Sequence, residues 1–235
     1  MEKMNIRSDE WKKIIMEGGE SLGVPVSPFM ADQLAGHCDL LLQWNRKINL
    51  TAITDPLEVA VKHVLDSIAP ARLIPDHSTL LDMGTGGGFP GIPLKIVKPS
   101  ILATLADASG KKINFVKHVI RTLKLEKCKA IAARLEDLPK QDGYAGKFQV
   151  VVSRSLAPLS KILSWALPLL APRGCIIALK GRNVDKEQAD VDLLMKADPE
   201  KYGFHMERYS IKREYYHLPH SALERTLVIL NQRKE

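Results

Sequence analysis

The stretch Leu80-Leu81-Asp82-Met83-Gly84-Thr85-Gly86-Gly87-Gly88-Phe89-Pro90-Gly91 constrains the fold more than any other part of the chain. An apolar run ends in a carboxylate, four glycines follow within five residues, and Pro90 stands where a helix would start. That order predicts a strand, a tight turn and a helix N-terminus. Glycine admits positive φ and lets a ligand approach the backbone, while the first turn of a helix offers unpaired N–H groups. The loop is therefore built to hold a ligand. The spacing Gly86-x-Gly88-x-x-Gly91 also satisfies the dinucleotide pattern, so the glycines alone leave the ligand open.

Two acids bear on the choice. Asp82 precedes the first glycine at the carboxyl end of the predicted strand, which would direct its charge into the crevice that the loop lines. That charge would repel a pyrophosphate and attract the ammonium and sulfonium of S-adenosylmethionine. About 25 residues on, Ile101-Leu102-Ala103-Thr104-Leu105-Ala106-Asp107 repeats the arrangement, near the βαβ spacing at which an acid reaches a ribose hydroxyl. Both acids are expected to face one crevice. The plainer alternative is that each only ends a strand and caps the segment after it.

At 235 residues the chain can bury a full core as one large domain, or one domain with an appendage. Hydrophobic residues make up 45% and charged residues 26%, with no apolar run long enough to span a membrane and no signal-peptide layout, so a cytoplasmic protein is expected. Cys38, Cys128 and Cys175 are odd in number and form no CxxC pair. They predict neither a disulfide framework nor a metal site, and read as small core residues. The net charge of +7 suits a phosphate-rich partner or a merely solvated basic face.

Apolar spacing predicts two helices between Asp9 and Ile53, broken over Leu22–Pro28, and a third from Leu57 to Arg72. Strands are then expected at Thr79–Met83, Ile101–Ala106, Lys129–Ala132, Phe148–Ser153 and Cys175–Leu179. Helices at Gly91–Val97, Lys111–Leu123 and Leu159–Leu170 separate them, and another follows near Val184–Lys196. Alternation of this kind implies an α/β fold with a parallel sheet covered on both faces. Tyr209–Tyr216 and Arg225–Asn231, joined by Leu218-Pro219-His220, read as a closing antiparallel pair.

Ordered segments along nearly the whole chain together resemble one family, the bacterial 16S rRNA guanine-N7 methyltransferases known as RsmG or GidB. They are Trp44 to Thr51, His63-Val64-Leu65-Asp66-Ser67, the Gly84–Gly91 loop, Lys111-Lys112, Arg134 to Pro139, Ser153-Arg154, Leu179-Lys180-Gly181 and Glu224-Arg225. The resemblance implies a class I SAM-dependent methyltransferase (Rossmann-like): a seven-stranded, mostly parallel sheet with an antiparallel last strand. It places an N-terminal helical extension at 1–75 and the methyltransferase domain at 76–235. It also implies S-adenosylmethionine as cofactor and 16S ribosomal RNA, within the small ribosomal subunit, as partner. A monomer is expected, with no membrane or DNA partner. Carried over by position, Gly84, Phe89, Leu135, Glu136 and Arg154 would hold the cofactor, with Asp82, Gly86 and Asp107 from the loop reading. Lys111, Lys112, Lys180 and Arg225 are candidate RNA contacts. The chain departs from the family at Ser155, which the family usually has as alanine, and at Ala108, commonly serine, so that a capping hydroxyl is either missing or moved to Ser109.

Guanine N7 carries an in-plane lone pair and no proton at neutral pH, so no general base is required and no catalytic residue is assigned. Exocyclic amine methylation often goes with an Asn-Pro-Pro-aromatic turn where this chain has Ser153-Arg154-Ser155-Leu156, and carbon-5 pyrimidine methylation needs a cysteine nucleophile. Two other readings stay open on the residues alone. One is an NAD-dependent oxidoreductase using Gly86, Gly88 and Gly91; the other is a non-catalytic RNA-binding ribosome assembly factor.

Overall fold

A computed structural model describes residues 4–181 and 208–233; the helix expected near 184–196 lies outside these residues. The chain opens with α1 (Asp9–Ser21) and α2 (Pro28–Asn45). Ser8 and Ser27 cap them, accepting the N–H groups of Trp11 and Met30 at 3.2 and 3.3 Å. A third helical stretch begins after Asp55, whose carboxylate accepts the Glu58 N–H at 3.0 Å. It changes winding as it runs: α3 (Pro56–Glu58), a π-helical segment Val59–Leu65, α4 (Asp66–Ile68) and a 3₁₀ segment Ala69–Leu73. The Asp66 N–H donates to Val61 O, five residues back. Apolar spacing predicts one helix here and carries no signature of the change.

The sheet contains β1 (Thr79–Met83), β2 (Leu102–Asp107), β3 (Cys128–Ala132), β4 (Phe148–Arg154), β5 (Leu170–Lys180), β6 (Tyr209–His217) and β7 (Glu224–Gln232). Their order is β3-β2-β1-β4-β5-β7-β6. The first five are parallel, and β7 inserts antiparallel between β5 and β6. The crossovers carry α5 (Gly91–Val97), α6 (Gly110–Thr122) and α7 (Leu159–Ala166). β1 and α5 fall on their predicted bounds. The helix expected to reach Leu170 stops at Ala166, because Pro168 sits in a 3₁₀ turn, Leu167–Leu169, and has no N–H to continue α7. β5 consequently begins at Leu170, five residues before the expected Cys175.

Side chains alternate across the strands. Leu80, Val150, Val152 and Ile177 join the fully buried Trp11, Leu34 and Phe115 of α1, α2 and α6 in one apolar cluster. Leu81, Met83, Val151 and Ile176 face the other way, against Ile162 and Leu163 of α7. Each such side chain contributes about 1.5–3 kcal/mol on leaving water. The N-terminal helices thus share their apolar cluster with one face of the sheet. Cys38 is buried there, whereas Cys128 and Cys175 are only half-buried at its margin, a correction to the reading of all three as core. Among the described residues no helix is long and apolar enough to cross a membrane.

Candidate active site

The carboxyl ends of the parallel strands and the 56–73 helical stretch border an open cleft of about 540 Å³. Gly84–Gly87 and Phe89 form one side. Thr51, Ile53, Lys62, His63 and Asp66 form the other, and Arg154, Lys180, Arg225 and Lys112 reach it from β4, β5, β7 and α6.

The glycine loop uses its own donors. Gly84 and Thr85 N–H donate to Ala106 O at 2.9 and 3.0 Å, and Gly88 and Phe89 N–H to Thr85 O at 2.8 and 2.9 Å. Gly86 N–H donates to Asp107 Oδ2 at 3.0 Å and Gly91 N–H to Asp82 Oδ2 at 2.9 Å. These groups are not presented to a pyrophosphate, which a dinucleotide loop requires. Two glycines define the surface left for a ligand. Gly84 has φ of 71°, and a Cβ there would overlap the Leu156 side chain. Gly86 has φ of 56°, and a Cβ there would meet nothing nearer than Gly84 O at 3.9 Å while standing on the cleft. The loop is thus solid behind and open in front, a cradle for an uncharged or cationic group that needs no N–H donors.

Asp82 corrects the sequence reading. It does not face the crevice: it is fully buried beneath the loop, on the same strand face as Leu80, holding the first N–H of α5. Burial pushes its carboxyl up to about 6, with the Gly91 N–H acting in the opposite sense. Strand alternation, with Leu80 and Asp82 on one face, was the available signal. Asp107 is half-buried and accepts from two backbone groups, Gly86 and, at 2.8 Å, Ser109. The α6 cap is the Ser109 hydroxyl, toward the Lys112 N–H. Leu135 and Glu136 lie in the loop after β3, tied to the same sheet edge by the bond of Ala133 N–H to Asp107 O at 3.1 Å, but neither lines the cleft. Leu135 is buried and Glu136 exposed. Lys111 is exposed outside the cleft, one residue before Lys112, which lines it.

Arg154 is held by the helical stretch rather than left free as a fork. Because Asp66 N–H reaches back to Val61, Lys62 O loses the partner an α-helix would give it. Arg154 Nη1 fills that place at 2.7 Å, and also lies 3.5 Å from Asp66 Oδ2. Arg154 Nη2 donates to His63 Nδ1 at 3.2 Å, which leaves the proton on Nε2, 2.8 Å from Thr51 Oγ1. The His63 ring stacks on Phe89 with centroids 4.7 Å apart, and the guanidinium lies 5.0 Å from the same ring. Burial, reinforced by Arg154, lowers the His63 pKa to about 3, so the imidazole is neutral. Asp66 Oδ1 accepts from the Tyr216 hydroxyl at 2.9 Å and lies 3.5 Å from Arg225 Nε. Sequence reasoning assigns no site role to Thr51, Lys62 or Tyr216. Thr51 closes the Trp44–Thr51 segment and Lys62 immediately precedes His63–Ser67, while Tyr216 reads in the sequence only as an aromatic that stacks on a base or lies in the core.

The strand order, the antiparallel β7 and a glycine loop at the strands' carboxyl edge define the class I S-adenosylmethionine-dependent methyltransferase fold. Among similar solved structures is an O-methyltransferase from Bacillus cereus in complex with SAH (TM-score 0.58, 15% identity, 95% of this chain and 99% of that one). Another is M. jannaschii TYW2 in complex with AdoMet (TM-score 0.54, 16% identity, 80% of each chain). Within that class the chain belongs to the GidB family, rRNA small subunit methyltransferase G, whose profile matches residues 30–209. The ribosomal RNA small subunit methyltransferase G of Geobacter sulfurreducens is 42% identical over 216 residues, covering 92% of this chain and 95% of the relative. That of Thermoanaerobacter sp. is 38% identical over 222 residues, covering 94% and 89%.

Proposed function

We propose that the protein transfers a methyl group from S-adenosylmethionine to N7 of one guanine in 16S ribosomal RNA, acting as a cytoplasmic monomer on the small ribosomal subunit. The observation that carries this reading is the glycine loop of a family methyltransferase opening onto a cleft whose lining carboxylate, Asp66, and imidazole, His63, are both engaged by neighbours. S-adenosylmethionine supplies an electrophilic methyl on a sulfonium. Gly84 and Gly86 give it a close backbone surface and Phe89 an apolar wall, while Asp107 stands at the loop for a ribose hydroxyl. Leu135 and Glu136 take the adenine end. Arg154 acts as a positioning residue that fixes His63 and Phe89, and Asp82 holds the start of α5. Lys112, Lys180 and Arg225 border the cleft for phosphates, with Lys111 beside them.

An acceptor with its own lone pair fits this cleft. His63 has both ring nitrogens engaged, and Asp66 is shared between Tyr216, Arg154 and Arg225. No cysteine lines the cleft, and burial pushes the Cys128 and Cys175 thiols up to about 12 and 11. Catalysis by placement alone supplies about 7–11 kcal/mol in favourable model systems. The engaged loop N–H groups disfavour a nicotinamide cofactor.

The test is incubation with methyl-labelled S-adenosylmethionine and unmethylated small subunits or their RNA, followed by chemical cleavage at N7-methylguanine. Label at one guanine is expected. Label at another base overturns the acceptor assignment; RNA binding without transfer favours an assembly factor, and nicotinamide binding without affinity for S-adenosylhomocysteine favours an oxidoreductase.

A further inference from the structure

Two acid-free, cation-bearing segments of this chain lie side by side in the fold. Between Asp39 and Asp55, and again between Asp107 and Glu126, there is no acidic residue. The first segment carries Arg46 and Lys47, the second Lys111, Lys112, Lys117, Arg121 and Lys124. The two segments pack together. Trp44, on the last turn of α2, lies 5.6 Å from Phe115 and 5.3 Å from His118 of α6, between ring centroids. Around it opens a recess of about 450 Å³ lined by Trp44, Asn114, Lys117, His118 and Arg121.

Trp44 is built differently from a core tryptophan. Trp11 is fully buried and donates its indole N–H to Pro56 O at 2.9 Å. Trp44 is half-buried, and its indole N–H has no partner among the described residues. Asn114, Lys117 and Arg121 are exposed, and none of the cations around the recess is paired with a carboxylate among the described residues. The recess and the cleft use the same helix at different places: Lys112 lines the cleft, and Arg121 stands about 14 Å further along α6 at 1.5 Å per residue and about half a turn round it. From the other side, Leu50 and Thr51, which also line the cleft, come only a few residues after Trp44.

We infer that this acid-free face is a second contact for the RNA, gripping unpaired nucleotides that flank the target guanine: one base stacks on the Trp44–His118 platform, and Lys117 and Arg121 hold its neighbouring phosphates. Aromatic faces beside cations are the general means of holding single-stranded RNA, because every base has a face to stack and every nucleotide a phosphate. The inference rests on the proposed RNA methyltransferase reading and adds where the substrate runs once it leaves the cleft.

The test compares the full-length protein with Lys117→Ala/Arg121→Ala, which removes two exposed cations, and with Trp44→Leu, which keeps apolar cover on Phe115. Binding and methylation are measured on naked unmethylated 16S RNA and on intact small subunits. The double variant is expected to bind naked RNA about tenfold more weakly, with the loss in KM rather than kcat. Its salt slope should be shallower by about 1.4, the share of two phosphates of a single strand. Trp44→Leu is expected to weaken binding with the salt slope unchanged, and wild-type tryptophan fluorescence to be quenched by RNA in a manner this variant lacks. S-adenosylhomocysteine affinity, unchanged in all, shows that the fold is intact. Unchanged RNA affinity and KM in both variants, with wild-type transfer intact, overturns the inference and leaves the function standing. Loss on intact subunits alone assigns the face to a ribosomal protein and also overturns it. Failure of the wild type itself to bind or methylate RNA removes both readings.

Discussion

Arg154 Nη1 donates to the main-chain oxygen of Lys62 at 2.7 Å across 92 residues of sequence. The end of a central strand is thereby fastened to a carbonyl exposed by π-helical winding, and the remaining edge of the guanidinium orients His63 beside the glycine loop. This one side chain couples the N-terminal helices to the cleft.

Arg154→Ala leaves Lys62 O, His63 Nδ1 and Asp66 short of their partner. It is expected to lower the unfolding free energy by about 3 kcal/mol, in the range for breaking a buried pair, and to abolish methyl transfer. Arg154→Lys should recover little, because one ammonium cannot serve both the carbonyl and the imidazole. Urea unfolding with a transfer assay checks both; wild-type stability in Arg154→Ala would remove the proposed coupling.

Gly84 and Gly86 should separate folding from binding. Gly84→Ala places a methyl against Leu156 at φ of 71° and is expected to impair folding. Gly86→Ala meets open space at φ of 56°, so it should cost only about 1–2 kcal/mol of backbone strain while occupying the cleft. Calorimetry should find the Gly86 variant folded with weakened S-adenosylhomocysteine binding.

Asp82 gives stability a pH dependence of unusual sign for a carboxylate. The folded chain holds this proton up to about 6, whereas the ordinary value is 3.8, so between those values the folded state binds more protons. Stability is therefore lost as pH rises through that window, by up to about 3 kcal/mol from this group. Asp82→Asn still offers an oxygen to the Gly91 N–H and should flatten the contribution. Denaturant titrations of both proteins at several values from about pH 4 to 7 measure the difference; parallel curves would contradict it.

His63 is expected to contribute no ionisation to the rate. With its pKa lowered to about 3, methyl transfer should show no limb from this imidazole between about pH 5 and 9. His63→Ala should lower the rate through misplacement of Phe89 and Arg154 without changing the shape of the profile. A limb lost in that variant would make His63 a base.

Where information was local, it was legible. β1, the glycine turn and α5 fall on their predicted bounds, because an apolar run, φ-permissive glycines and a helix-starting proline act over twelve consecutive residues. Asp82 departs from its expected place because alternation with Leu80, rather than its position at the strand end, sets the face it occupies. The π-helical winding of Val59–Leu65 was not legible, since the same apolar residues suit either winding and the stray carbonyl is satisfied only by Arg154 from β4. Cys128 and Cys175 are less buried than expected because an apolar neighbourhood in sequence does not say how far a strand's margin is covered.

Short-range sterics and residue order already specify an alternating α/β chain, a loop built to cradle a ligand at the strand edge and, through the ordered family segments, the methyltransferase class. Packing alone settles that Asp66 rather than Asp82 meets the cleft, that Arg154 is a clasp rather than a free fork, and that Trp44 of α2 lies against Phe115 and His118 of α6. Those outcomes are set by contacts between residues far apart in sequence, whose geometry exists only after the sheet and helices have packed.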